Sequence, residues 1–223
     1  AEYRYYGFEL VNSTYTQTSM GQDLPVFESP TFESAVQDAL DFVASQPVHP
    51  LPPEQKFQGP GVYMIYYTGN FDPYQRLANA NRGTLTNPIY AGKAVPKGWR
   101  KGREVKELSD KLHMRLREHA RSIEAVENLT LDNFSCRFAI FTGEEIDMIG
   151  TVENALIRQR DPLWNQEIDG FGNHHPGQNR LDQTLAEWDT LHPGRSWEQD
   201  WRGDRPDRDR LVERVESHLS RTV

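Results

Sequence analysis

Cysteine is almost missing from these 223 residues: Cys136 stands alone. No disulfide can form within the chain, and no thiolate cage can hold a zinc ion. Cys136 lies in the apolar run CRFAIFT and reads as a small buried side chain. Long apolar runs are missing too, since none approaches the roughly 18 residues a membrane-spanning helix needs. The opening AEYRYYGFEL lacks the basic-then-apolar pattern of a secretory leader, so the expectation is a soluble, cytoplasmic protein. A basic surplus is also absent, with 25 Lys and Arg against 33 Asp and Glu and a net charge of -8. Internal repeats and low-complexity tracts do not occur. What remains is 36% hydrophobic content, enough for one modest core in one large or two small domains.

The average charge conceals a strong asymmetry. Lys93, Lys97, Arg100, Lys101, Arg103, Lys106, Lys111, Arg115, Arg117 and Arg121 face only Glu104, Glu107, Asp110 and Glu118, a local charge of +6 that leaves -14 elsewhere. A basic stripe on an acidic body suits a protein that grips a polyanion on one face. A solvated charged helix would carry the same charges.

Periodicity predicts a helix over residues 31–45, with Phe32, Val36, Ala39, Leu40 and Val43 on one face and Thr31 as its cap. The stretch PVHPLPPEQKFQGPG cannot continue it and reads as a linker. GVYMIYY, residues 61–67, predicts a strand with Val62, Met64 and Tyr66 on one face and Tyr63, Ile65 and Tyr67 on the other. A second strand is expected at 88–92, after a long polar loop. A helix over 105–123, a strand over 134–142 and a helix over 151–160 follow. LDQTLAEW, residues 181–188, reads as helical, and a charged helix over 206–221 closes the chain.

Three groups of residues bear on chemistry. Glu153 precedes Leu156 and Ile157 by three and four residues, so its carboxylate lies in or beside a packed face. There it must be paired with Lys or Arg, protonated, or bound to a metal. Arg115 and His119 share one helical face, an arrangement suited to clamping a phosphate and moving a proton, and equally found on solvated faces. Tyr63 and Tyr90, one per strand, are core aromatics unless a neighbour such as His119 takes a proton from them. The adjacent His174 and His175 lack further ligands at metal spacing and read as loop or DNA contacts.

Taken in order, Gly61-Val62-Tyr63, Ile89-Tyr90-Ala91-Gly92-Lys93, Arg115 with His119, Glu153, and Asn165 in PLWN form a series that resembles the GIY-YIG nuclease superfamily. The resemblance covers residues 61–165. Val62 and Ala91 depart mildly from the family tripeptides, and the connection between the two tyrosines is unusually long. It implies an α+β fold: a small three-stranded antiparallel sheet flanked by helices, with N-terminal, inserted-loop and C-terminal elaborations. The expected organisation is an N-terminal extension over 1–58, a nuclease core over 59–168 with an inserted loop over 68–87, and a C-terminal extension for DNA contact and dimerisation over 169–223.

The resemblance also implies roles. Glu153 would hold one Mg²⁺, with Mn²⁺ able to substitute, and Tyr63 would activate the attacking water with His119 as its proton partner. Tyr90 would orient the phosphate, Arg115 would clamp a nonbridging oxygen, and Asn165 would brace the site. With no separate DNA-reading domain, the chain looks like the type II restriction endonucleases of the superfamily. That branch implies a bacterial cytoplasmic homodimer cutting both strands of palindromic DNA, with a GC-rich six-base site such as CCGCGG. Arg76, Arg82, Lys93, Lys97, Arg100, Lys101, Arg103, His174, His175 and Arg180 are the expected DNA contacts. The alternatives are a repair or mobile-element nicking nuclease of the same superfamily and a noncatalytic DNA-binding protein.

Overall fold

In this computed structural model the described residues are 27–96, 98, 99, 109–173, 177 and 180–223. Helix α1 (Pro30–Ser45) leads into strand β1 (His49–Pro50), and β2 (Gly61–Tyr67) follows the proline-rich stretch. Next come a 3-10 turn at Asp72–Tyr74, α2 (Gln75–Ala80), β3 (Tyr90–Ala94), α3 (Lys111–Glu124) and β4 (Phe134–Ile140). The chain continues through α4 (Ile149–Arg160), α5 (Leu163–Gln166), α6 (Glu187–Leu191) and α7 (Arg208–Thr222).

The strands form one antiparallel sheet in the order β1-β4-β2-β3. Four strands stand where three were expected, because His49 and Pro50 of the linker pair with Cys136 and Ser135 on the outer side of β4. An edge position tolerates proline, whose missing N–H would break a central ladder.

Strand β2 is central and buried along its whole length, and its alternation divides the protein into two cores. Val62, Met64 and Tyr66 pack with Leu40 and Val43 of α1 and with Val152 and Leu156 of α4. Tyr63, Ile65 and Tyr67 face Leu112, Leu116 and Ile123 of α3, together with Trp164, Phe171, Trp188 and the α7 residues Leu211, Val215 and Leu219. The second core therefore draws on residues from Leu51 to Leu219. Cys136 is fully buried, and burial pushes its thiol up to about 12.

Several boundaries differ from the periodicity. Ser29, not Thr31, caps α1, accepting from the Phe32 N–H with Pro30 in the first turn. Strand β3 runs over Tyr90–Ala94 because its pairing with Gly61–Ile65 sets its reach. Helix α3 starts at Lys111 rather than 105, because Asp110 takes the N-cap position and the Ser109 carbonyl accepts from the Gly59 N–H; residues 100–108 lie outside the described residues. The expected loop over 68–87 contains α2, and its Tyr74, Leu77 and Ala78 are buried in the α3-side core. The helix expected over 181–188 starts only at Glu187, because the Leu185 N–H donates to Asp204 and the Leu181 carbonyl accepts from Arg202 and Gly203.

One buried polar chain is fully satisfied. Trp164 Nε1 donates to Tyr74 Oη at 2.9 Å, and Tyr74 Oη lies 2.6 Å from His192 Nε2. His192 Nδ1 meets Asn128 Oδ1 at 2.9 Å, while Asn128 Nδ2 donates to the Leu191 carbonyl. The Asn128 amide thus leaves its oxygen for His192, so Nδ1 carries the proton and Nε2 accepts from Tyr74. Burial, aided by the charges of Arg195 and Arg208, holds His192 down to about 3.

The unfolded chain binds a proton at His192 near pH 6.5 and the folded one does not, so stability is full above about pH 6.5 and falls toward pH 3. The slope approaches about 1.4 kcal/mol per pH unit within that window. Urea unfolding of His192→Gln should show a lower midpoint at pH 7 and a flatter decline between pH 6.5 and 5 than the parent. Parallel declines would show that His192 is not the titrating group.

Candidate active site

Antiparallel register sets Tyr63 opposite Gly92 of β3 and Phe138 of β4. A Cβ on Gly92 would lie 2.5 Å from Tyr63 Oη and 2.7 Å from its Cζ, so the phenol can cross the edge strand only because that position is glycine. Tyr63 Oη is 2.6 Å from Nε2 of His119, which projects from α3, and both residues are 1% exposed. Burial raises the Tyr63 hydroxyl well above the usual phenol value; Tyr90 pushes it further and Arg115 opposes. A free tyrosinate at neutral pH is therefore excluded, and any proton leaving Tyr63 needs His119 to receive it.

Tyr90 is half-buried at the start of β3, its ring 6.2 Å from that of Tyr63 and 5.2 Å from that of His119. Its hydroxyl is raised mainly by burial, with Arg115 opposing and Glu153 adding. One turn before His119, Arg115 is half-buried, donating to Glu118 Oε2 at 3.1 Å and to the Gly172 carbonyl at 3.3 Å. The i, i+4 spacing thus delivers both side chains to the phenols.

Glu153 comes from α4, on the other side of the sheet. Alternation along β3 turns Lys93 toward that helix, and the Lys93 ammonium pairs with Glu153 Oε2. Of the alternatives open at the sequence level, a basic partner is what this carboxylate has here. Its side chain is 14% exposed, and its charge nonetheless contributes to raising both tyrosines, so the two faces communicate across the β3 edge. Asn165, in α5, accepts from the Ala91 N–H at 2.8 Å and donates to the Ala91 carbonyl at 2.9 Å. It occupies the hydrogen-bonding side of β3 that no strand among the described residues covers, fixing the edge between Tyr90 and Lys93.

Among the described residues no group of three or more His, Cys, Asp or Glu could enclose a metal. The donor set is one carboxylate, which fits a hydrated hard cation such as Mg²⁺ that takes remaining ligands from water and phosphate. A closed tetrahedral site does not fit it.

The six expected catalytic residues therefore line the β3 edge from Tyr90 to Lys93, with the tyrosines, Arg115 and His119 on one face, Asn165 at the edge, and Glu153 on the other face through Lys93. The expected DNA contacts are more scattered. Lys93 belongs to the Glu153 pair, while Arg76 on α2, Arg82 and Arg180 are exposed. Lys97, Arg100, Lys101, Arg103, His174 and His175 lie outside the described residues.

A cleft of about 200 Å³ opens beside His119 and Arg115, walled by Arg121 and Ser122 of α3 and by Gly172, Asn173 and Trp197. The last three come from beyond Asn165, a contribution that motif reading missed. Its sequence signal was a phenylalanine between two glycines, Gly170-Phe171-Gly172.

Residues 55–219 match a family model described as the Eco29kI GIY-YIG domain. No curated protein matches the chain. No described helix is long and apolar enough to cross a membrane.

Proposed function

The chain belongs to the Eco29kI family of GIY-YIG restriction endonucleases, site-specific deoxyribonucleases, and from that premise we propose that it hydrolyses both strands of a palindromic DNA site with the residues gathered at the β3 edge. The observation that carries this reading is the 2.6 Å contact between Tyr63 Oη and His119 Nε2. As water attacks phosphorus, Tyr63 takes its proton while passing its own to His119 Nε2, so the hydroxyl never has to ionise alone. Arg115 neutralises charge growing on a nonbridging oxygen, and Tyr90 donates to the same phosphate. Asn165 holds the backbone that carries Tyr90, so it supports the site without touching substrate.

Glu153 would hold Mg²⁺, or Mn²⁺ in its place, with Lys93 yielding its position beside the carboxylate or turning to the phosphate. A divalent ion there supplies Lewis-acid stabilisation of the phosphate and of the leaving 3' oxygen.

One site per chain cuts one strand, so a twofold-related pair of chains on a palindrome accounts for double-strand breaks. Arg76, Arg82, Arg180 and the basic run through Lys97, Arg100, Lys101 and Arg103 are the proposed DNA contacts, with His174 and His175. A GC-rich site such as CCGCGG and action in the bacterial cytoplasm complete the reading.

Digestion of a fully sequenced plasmid with Mg²⁺ should yield discrete double-strand fragments whose ends map to one palindrome, and EDTA should stop it. Sedimentation with that duplex should give two chains per DNA. Scattered nicks or lesion-dependent cuts would point instead to a repair or mobile-element nuclease.

A further inference from the structure

Arg195 is 2% exposed and has no part in the steps above. Its Nη1 donates to the Gly170 carbonyl at 3.2 Å and its Nη2 to the Phe171 carbonyl at 2.6 Å. Nη1 also lies 3.0 Å from Asp189 Oδ1, and the guanidinium stacks 4.1 Å above the Trp188 ring. A guanidinium so far from water persists only where carbonyls, a carboxylate and an aromatic face all compensate it. What this arrangement grips is the turn at Gly170, whose φ of +112° strains any other residue and whose missing Cβ leaves room for Ala186.

The turn aims Phe171 inward. Its ring stacks on the His119 imidazole at 4.7 Å and 14°, and meets Tyr90 edge-on at 5.0 Å. Tyr63 and Tyr90 flank the imidazole only at tilted angles of 48° and 65°. Of these three rings, Phe171 alone is near-parallel to His119 and so limits tipping of the imidazole out of its plane. We propose that Phe171, anchored by Arg195, is a positioning residue for cleavage: it keeps the His119 ring in the plane that directs Nε2 at the Tyr63 hydroxyl. The inference rests on the reading of Tyr63 and His119 as a proton relay. It means that the extension after Asn165 completes the catalytic site.

The test compares Phe171→Leu, Phe171→Trp, Arg195→Lys and His119→Ala in the full chain, on a plasmid carrying a mapped site. Phe171→Leu should lower kcat on the order of 10- to 100-fold through a loosened His119 while KM stays within about twofold. The acid limb of its rate–pH profile should shift, as should the titration of the His119 ring followed by NMR. Phe171→Trp should recover most of the rate, and Arg195→Lys should lose rate in the same direction by a smaller factor. Wild-type kcat and pH profile in Phe171→Leu, beside an inactive His119→Ala, would overturn the inference alone. Full cleavage by His119→Ala would overturn the relay and the inference with it. A loss in both Phe171 variants that tracks their melting temperatures, with the acid limb of the pH profile and the His119 titration unmoved, would mark a purely structural ring and also overturn it. Arg195→Lys at full wild-type rate would remove the proposed anchor.

Discussion

Glu153→Gln is expected to lower double-strand cleavage on the order of 10³-fold or more in saturating Mg²⁺, because a neutral amide holds a divalent cation poorly and several kcal/mol of transition-state stabilisation go with it. The fold should tolerate the change. Gln keeps the shape, and the Lys93 side chain is 27% exposed, so its ammonium can turn to water. The pair is part-buried, so its loss should cost less than the roughly 3–5 kcal/mol of breaking a fully buried one. Binding to the cognate duplex should persist or tighten, since a negative charge beside the phosphate has gone.

Lys93→Met separates this reading from a merely structural ion pair. It breaks the same pair but leaves the carboxylate, so it should retain metal-dependent cutting far better than Glu153→Gln. Cleavage by Glu153→Gln within tenfold of the parent would remove Glu153 from metal binding. So would equal losses in both variants that follow their melting temperatures.

Tyr63→Phe should cut kcat by about 10²- to 10⁴-fold, the range of one general base. It removes a single oxygen: the ring stays under the sheet edge, packed on Gly92, and KM should move little, while the buried His119 left without its partner should cost about 1–3 kcal/mol of stability. The protein contains its own control. Tyr74 and His192 form a second buried pair at the same 2.6 Å, with Tyr74 also accepting from Trp164. Tyr74→Phe removes the same atom from the same chemistry at a place with no reading as a phosphate site. It should cost about 1–3 kcal/mol of stability by leaving buried partners unsatisfied, with kcat unchanged. Equal kinetic losses in Tyr63→Phe and Tyr74→Phe would mean that the hydroxyls only stabilise the fold, and near-normal turnover in Tyr63→Phe would disqualify Tyr63 as the base.

The two Tyr–His pairs also show where sequence reasoning stops. Tyr63 and His119 were legible because each lies in a short local pattern: a tyrosine in an alternating strand, and a histidine one helical turn after an arginine. Tyr74 and His192 are 118 positions apart with no pattern at either end, and only the packing of the inserted segment against the C-terminal helices brings them together. Arg195 and Phe171 were invisible for a similar reason. Arg195 reads as one more surface charge until the turn at Gly170 is folded beneath it.

By itself the sequence determined the elements with strong periods: the alternating β2, the amphipathic α1, α3, α4 and α7, and hence an α+β chain with Tyr63, Arg115, His119 and Glu153 on them. Those features depend on near neighbours, where a side chain's direction follows from a period of 2 or 3.6. Tertiary structure alone decided that His49–Pro50 joins the sheet, that Leu181 and Leu185 give backbone groups to 202–204 rather than to a helix, that Lys93 answers Glu153, and that Phe171 roofs His119. Each of these is settled by distant partners competing for one hydrogen bond, charge or ring face, and that competition leaves no local trace in the order of residues.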